Sequence, residues 1–121
     1  MSVKLFINSV RSAGRGLARV FKNEQNFRIQ VAIAGIVLAL SFVFHLKKWE
    51  FITVLLLILI VLLMEIINTA LEFFTDLLKP RLHHYAKATK DVMAAAVMLT
   101  SFFAALIGLI IFIPHFINLV K

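Results

Sequence analysis

The 121-residue chain contains no cysteine, which excludes disulfide bonds, thiolate chemistry and cysteine-ligated metal sites. Acidic residues are also scarce, since six Asp and Glu stand against thirteen Lys and Arg and the formal net charge is +7. The sequence has no Walker motif, no Ser–His–Asp arrangement and no zinc-ligand spacing. We expect no cleavable signal peptide, because the first long apolar run begins only near Phe27 and lacks a small-residue cleavage pattern.

What the chain has in abundance is apolar sequence. Hydrophobic residues make up 62% of it and the mean hydropathy is +0.99, whereas soluble proteins contain roughly 45–50% apolar residues. The composition therefore indicates an integral membrane protein of a single domain. In such a chain, excess positive charge is typical of loops that face anionic headgroups. Nucleic-acid binding is disfavoured, because no base-stacking aromatics accompany the basic residues in a polar context.

The hydrophobic pattern predicts an all-α membrane protein with one amphipathic surface helix and three transmembrane helices. Residues 2–22 place apolar side chains at helical spacing opposite Lys4, Arg11, Arg15 and Lys22, as expected for a helix lying on a membrane. Three longer apolar segments approach or exceed the roughly 20 residues needed to span a bilayer. We place these helices at about 27–46, 49–78 and 86–119.

The loop charges predict the orientation. Basic residues concentrate before the first span and in the second connection, while the first connection and the C-terminus hold only Lys47, Lys48 and Lys121. The positive-inside rule then places the N-terminus and the second connection in the cytoplasm. Every acidic residue except Glu50 lies toward that side. The chemistry of the chain is therefore expected to face the cytoplasm.

A polar stripe interrupts the second span. Spacings of three, four and four place its members within an arc of roughly 80° on one helix face. Charged groups within a membrane-length segment cost about 2.5–3.5 kcal/mol each and normally face a partner, a cavity or an ion. Three carboxylates and one amide on one face predict a cation site; they are Glu65, Asn68, Glu72 and Asp76.

Residues at the same end of the other spans extend this site. Glu24 lies at the mouth of the first span and Glu72 near that of the second. Two carboxylates from different helices are an ordinary way to hold Mg²⁺ when nucleotide phosphates supply further ligands. Lys90 and Asp91 open the third span at the same level. A lysine placed there could neutralise charge on a transferring phosphoryl group.

Glu65 lies about two helical turns deeper than Glu72 and is placed to accept the proton of an alcohol arriving from the lipid. Asn68, between them, could orient either reactant. Two other interpretations of these residues stay open. Glu65 could serve a small ion-coupled transporter as its membrane carboxylate, or the polar side chains could simply bind neighbouring helices together.

These residues resemble a known family. The run Glu65-Ile66-Ile67-Asn68-Thr69-Ala70-Leu71-Glu72, followed by Asp76, His83 and Ala88-Thr89-Lys90-Asp91, is similar to the signature of the small bacterial membrane lipid kinases. Asn23-Glu24 with Phe27-Arg28 matches the first block of the same family. This family comprises the prokaryotic diacylglycerol kinases and undecaprenol kinases, and the resemblance covers nearly the whole chain.

The resemblance implies a homotrimer of three-span subunits in the bacterial inner membrane, with a cytoplasmic N-terminal helix and a cytoplasmic active site. It implies phosphorylation of a lipid hydroxyl, with ATP as cosubstrate and Mg²⁺ as cofactor. At the position of Gln30, members specific for diacylglycerol typically carry an acidic residue. Undecaprenol is therefore slightly favoured over diacylglycerol as the substrate.

The resemblance also implies a role for each residue of the site. Glu65 corresponds to the general base, and Glu24 and Glu72 correspond to the Mg²⁺ ligands. The expected nucleotide-side residues are Asn68, Asp76, His83, Lys90 and Asp91, among which Lys90 and Asp91 would contact the γ-phosphate and ATP. Arg81 and Leu82 depart from the diacylglycerol type, so the resemblance assigns no nucleotide contact to them.

Overall fold

The computed structural model describes residues 2–78 and 80–121. Helices account for most of them, and the described residues contain no β-strand. In chain order the helices are α1 (Val3–Asn23), α2 (Gln25–Val43), α3 (Lys48–Leu78) and α4 (His83–Val120). The last three are long and apolar enough to cross a membrane. The predicted all-α membrane fold is confirmed.

Helix α1 is capped and amphipathic. The Ser2 hydroxyl accepts a hydrogen bond from the Leu5 N–H at 3.2 Å, which satisfies one of the free donors at the helix start. Along its length only Val20 is buried, and its apolar side chains are otherwise exposed. This is the pattern that a helix lying on a lipid surface requires.

The break between α1 and α2 consists of one residue. The sequence predicts a helix that starts near residue 27, whereas α2 begins at Gln25. The reason is that Glu24 adopts an extended conformation (φ −114°, ψ 108°) and its carbonyl already accepts the Arg28 N–H at 3.3 Å. The polar side chains here therefore belong to helical turns.

The turn between α2 and α3, residues 44–47, is longer than expected. Helix α2 ends at Val43, three residues before the predicted boundary at 46, because His45 takes a left-handed conformation with φ of 50°. Helix α3 then begins at Lys48. The Glu50 carboxylate accepts the Lys47 N–H at 2.9 Å, which caps the start of α3.

Helix α4 begins earlier and runs further than expected. It starts at His83 instead of 86, because the Ala86 N–H donates to the Leu82 carbonyl at 2.9 Å and includes the polar segment in the first turn. It continues through Pro114 to Val120. The proline lacks an N–H to donate to the fourth residue before it, yet the helix is unbroken there.

Helix α3 is the centre of the bundle. It contacts α1, α2 and α4, whereas no Cα atom of α2 lies within 8 Å of a Cα atom of α4 in the described chain. A groove of about 520 Å³ opens between α2 and α4, with α3 as its floor, and extends from Gln30 at one end to Phe112 at the other. Most large apolar side chains point outward, as expected in lipid.

Candidate active site

Glu65 is the most deeply buried ionisable side chain among the described residues, with 1% exposure. Thr69 is equally buried, with 1% exposure, and its hydroxyl donates to the Glu65 carbonyl at 2.9 Å. One carboxylate oxygen of Glu65, Oε2, is buried and has no hydrogen-bond partner in the described structure. A buried carboxylate oxygen without a partner is costly, so this atom is available for a proton, an alcohol or a cation.

Two amide side chains surround the Glu65 carboxylate. Asn68 lies on the same helix and Gln30 reaches it from α2, and both are hydrogen-bonding neighbours of Glu65. The Oε1 atom of Gln30 is itself buried without a partner. Gln30 lines one end of the groove and Glu65 is its neighbour, so two unsatisfied acceptors from neighbouring helices lie at or beside this end, where a hydroxyl donor could satisfy them.

Glu24 and Glu72 lie side by side within one subunit. Burial raises the pKa of the Glu24 carboxyl above its ordinary 4.5, and the carboxylates of Glu72 and Glu65 raise it further. A hydrogen bond shared with Glu72 acts in the same direction, while Arg28 partly offsets the effect. A divalent cation between the two carboxylates would offset their mutual repulsion, so the pair has the donor chemistry of an Mg²⁺ site.

The neighbourhood of Glu72 supports the same interpretation. The Asn68 amide donates to Glu72 Oε1 at 3.3 Å, which places the two side chains on one face as the spacing predicted. The described residues contain no group of three His, Asp or Glu side chains able to hold a metal ion.

Lys90 joins the site from α4. Its ammonium group forms an ion pair with Asp76 Oδ1 at 2.7 Å, with side-chain exposures of 36% for Lys90 and 56% for Asp76. A small cleft between α3 and α4 is lined in part by Asn68, Glu72, Thr75 and Lys90. Because exposed ion pairs are weak, Lys90 can leave Asp76 for a phosphate group.

His83 and Asp91 are the predicted site residues that the structure does not connect to this group. Both are exposed on α4, and no hydrogen bond or ion pair joins either of them to Glu24 or Glu72 in the described chain. The ring of His83 lies 6.0 Å from that of His84. Their predicted contacts with nucleotide therefore stay predictions.

Three features around the site are absent from the predictions made from sequence. Thr69 and Thr75 are both buried and bond to carbonyls of α3, and the spacing of four residues after Glu65 is a signal that could have identified Thr69. Arg28 donates to main-chain carbonyls of α1, which leave no trace in the side-chain pattern. A second buried carboxylate, Glu50, pairs with His115 at the opposite end of the bundle.

These features define a small helical membrane protein with convergent carboxylates and a lysine at one end of the bundle. The sequence model of the family described as prokaryotic diacylglycerol kinase matches residues 11–112 of the chain. The chain belongs to this family of membrane lipid kinases, as the resemblance indicated.

Individual relatives agree with this placement. The chain is 38% identical over 109 residues to the undecaprenol kinase of Bacillus subtilis (strain 168), covering 90% of this chain and 89% of that protein. It is 31% identical over 112 residues to a diacylglycerol kinase of Synechocystis sp., covering 92% of this chain and 64% of that protein. A diacylglycerol kinase of Haemophilus influenzae is 32% identical over 93 residues, with coverages of 77% and 79%. No solved structure matches the chain, and none of these relatives supports the transporter interpretation.

Proposed function

We propose that the chain transfers the γ-phosphate of ATP to the hydroxyl group of a membrane lipid alcohol, with undecaprenol favoured over diacylglycerol. The observation that carries this proposal is the buried Glu65 carboxylate, whose Oε2 lacks a partner in a chain that belongs to a lipid kinase family. Such a group needs a donor, and the hydroxyl of a lipid is a donor that can reach it from the apolar side.

Glu65 acts as the general base in this proposal. Its unpartnered oxygen takes the proton of the lipid hydroxyl while the hydroxyl oxygen attacks the γ-phosphorus of ATP, and the bond from that phosphorus to the bridging oxygen breaks so that ADP leaves. Gln30 and Asn68 hold the carboxylate from α2 and α3, so its orientation is fixed before the substrate arrives. Deep burial also keeps water away from the transferring group.

Glu24 and Glu72 would hold Mg²⁺, and the ion would supply charge neutralisation to the nucleotide phosphates. Asn68 orients Glu72 through the 3.3 Å bond between their side chains. Lys90 exchanges its Asp76 partner for the γ-phosphate and stabilises the charge that develops during transfer. Asp76, His83 and Asp91 line the nucleotide side, although their roles come from the family resemblance.

The preference for undecaprenol has two supports. Gln30 provides a neutral amide beside Glu65, at a position that is typically acidic in diacylglycerol-specific members of the family. The identity to the undecaprenol kinase of Bacillus subtilis is 38%, against 31% and 32% for the two diacylglycerol kinases. An uncharged wall beside the base suits a substrate that presents one hydroxyl on a hydrocarbon chain.

We also propose that three subunits assemble in the bacterial inner membrane. The end of the bundle that contains Glu24, Glu65 and Glu72, here called the acidic end, faces the cytoplasm. The excess of basic residues before α2 and between α3 and α4 supports this orientation. The outward-facing apolar surfaces of α2, α3 and α4 are compatible with contact between copies as well as with lipid.

The direct test is phosphoryl transfer by purified protein in lipid nanodiscs. Radiolabelled ATP is offered with undecaprenol, diacylglycerol or ceramide, with and without Mg²⁺. We expect Mg²⁺-dependent label on undecaprenol first and on diacylglycerol more slowly. Label on none of the three lipids would overturn the proposal. Proton movement across vesicles without nucleotide would instead favour a transporter.

A further inference from the structure

Arg28 connects two helices through main-chain oxygens. From the first turns of α2, its Nη1 atom donates to the carbonyl of Phe21 at 2.7 Å and to that of Lys22 at 2.9 Å. Both carbonyls belong to the last turn of α1, where helix oxygens lack partners within the helix. A guanidinium at the negative end of the helix dipole is favourable both through its hydrogen bonds to these carbonyls and through the attraction between its charge and the dipole. Arg28 thus caps α1 from the next helix.

Glu24 lies inside the loop that this contact closes. Its N–H donates to the Val20 carbonyl at 2.9 Å, and its own carbonyl accepts the Arg28 N–H at 3.3 Å. No side chain caps the N-terminus of α2. The backbone of Glu24 is therefore held between α1 and α2, and the Arg28 side chain fixes the angle between the two helices.

Little else attaches α1 to the bundle. Val20 is its only buried residue, with Phe27 buried in the following helix. In the described chain, α1 contacts α2 and α3 but has no such contact with α4. The remaining apolar surface of α1 faces outward. Its orientation thus depends on a small junction in which Arg28 makes the polar contacts.

We propose that Arg28 is a positioning residue that couples the orientation of the surface helix α1 to the placement of the Glu24 carboxylate beside Glu72. The inference rests on the proposed function, in which these two carboxylates hold a divalent cation. Arg28 acts through the backbone, because its donors are directed at carbonyl oxygens of α1. A tilt of α1 on the membrane is thereby transmitted to one ligand of the cation.

The test separates position from charge. Arg28→Gln removes the guanidinium, and Arg19→Gln removes the same charge from an exposed site on α1 where the described structure shows no side-chain hydrogen bond. Because the chain has no cysteine, spin labels can be placed at Ser12→Cys and Leu77→Cys, on α1 and α3. Labelled subunits are diluted with unlabelled ones, and the α1–α3 distance is measured by double electron–electron resonance.

The second readout is Mn²⁺ binding, followed by its EPR signal in the presence of a non-hydrolysable ATP analogue. We expect Arg28→Gln to broaden the α1–α3 distance distribution and to raise the half-saturating Mn²⁺ concentration about tenfold, as for residues that orient metal ligands. Arg28→Lys, which keeps one donor group, should recover part of both effects. Arg19→Gln should change neither.

Three outcomes would overturn the inference. Weaker Mn²⁺ binding with an unchanged distance distribution would mean that Arg28 contacts the nucleotide or the ion directly. A broadened distribution with unchanged Mn²⁺ binding would mean that α1 is not coupled to Glu24. No change in either measurement would mean that Arg28 does not position α1. If the wild-type protein binds no Mn²⁺, the proposed metal site is wrong, while the α1–α3 distances still test whether Arg28 holds α1 in place. If Arg28→Gln does not fold, Arg28→Lys decides by the same criteria.

Discussion

The two ends of the bundle each contain a buried carboxylate, and the two carboxylates differ in whether their oxygens have hydrogen-bond partners. At the acidic end, Glu65 has 1% exposure and an oxygen without a partner. At the other end, Glu50 has 8% exposure, and both of its oxygens lie within 3.1–3.2 Å of His115 Nε2. Glu50 also accepts the Lys47 N–H at 2.9 Å. Burial alone therefore does not identify a functional carboxylate.

The surroundings of Glu50 explain its role. The Phe44 ring lies 6.0 to 6.2 Å from the rings of Phe112, His115 and Phe116, so it connects the end of α2 to α4. We call Phe44, Glu50 and these three α4 residues the aromatic end. Its polar groups are paired, as in a structural contact. The acidic end leaves acceptors unpaired, which is a cost that folding tolerates where a substrate or ion will satisfy them.

The largest expected effect is that of Glu65→Gln. The amide cannot take a proton from the lipid hydroxyl, so transfer of radiolabelled phosphate should fall by about 10²–10⁴-fold, the usual contribution of a general base. Circular dichroism and binding of an ATP analogue should stay unchanged, because the side chain keeps its size. Substantial residual turnover would contradict the assignment of Glu65 as the base.

Glu72→Gln tests the cation pair at the same end. Loss of one carboxylate ligand should raise the Mg²⁺ concentration for half-maximal rate about 10–100-fold or more, since even residues that only orient ligands have effects of this size. The measurement is the Mg²⁺ dependence of phosphate transfer at saturating ATP. An unchanged Mg²⁺ requirement, even with a lower rate, would show that Glu72 is not a ligand.

The aromatic end should respond in stability and not in chemistry. Glu50→Ala leaves the Lys47 N–H and the half-buried His115 without their acceptor, and loss of a buried hydrogen-bond partner costs about 1–3 kcal/mol. Equilibrium unfolding in mixed detergents should show this loss, while the transfer rate of the folded protein stays the same. His115→Ala and the double variant complete a mutant cycle. Strictly additive losses would mean that the pair contributes no coupling.

The smallest effect concerns pH. Burial and the carboxylates of Glu72 and Glu65 raise the pKa of Glu24, so the folded protein keeps a proton that the unfolded chain has already released. Metal-free stability should therefore decline as the pH rises above the ordinary value of 4.5. Thermal unfolding of wild type and Glu24→Gln from pH 4.5 upward measures this, and the variant should lack that part of the slope. Equal slopes would contradict the raised pKa.

The sequence predicted the helices well because their signal is local. Periodicity and apolar length identify α1 to α4, and the stripe that contains Asn68 and Glu72 follows from helical spacing. The boundaries were less predictable, since they depend on single backbone conformations. The left-handed φ of 50° at His45, which ends α2 early, is a single backbone conformation that neither helical periodicity nor the length of the apolar run reveals.

The candidate site divides in the same way. Glu24 and Glu72 were expected at one depth, and the structure brings them together. The partners of Arg28 and Glu50 were not foreseeable, because one binds main-chain oxygens and the other meets a histidine 65 positions away. Pairing of distant residues depends on how the helices pack, which the pattern of one helix does not determine.

The central place of α3 has a consequence for biogenesis. Within the residues that the structure describes, no Cα atom of α2 lies within 8 Å of a Cα atom of α4, so neither of these two helices can pack against the other before α3 is in place. Gln30 on α2 therefore lacks its hydrogen-bonding neighbour Glu65 until α3 has been inserted into the bilayer. A gene split in the turn after Val43 should therefore yield two fragments that assemble when both are expressed in the same cell, whereas the N-terminal fragment expressed alone should be degraded by quality-control proteases.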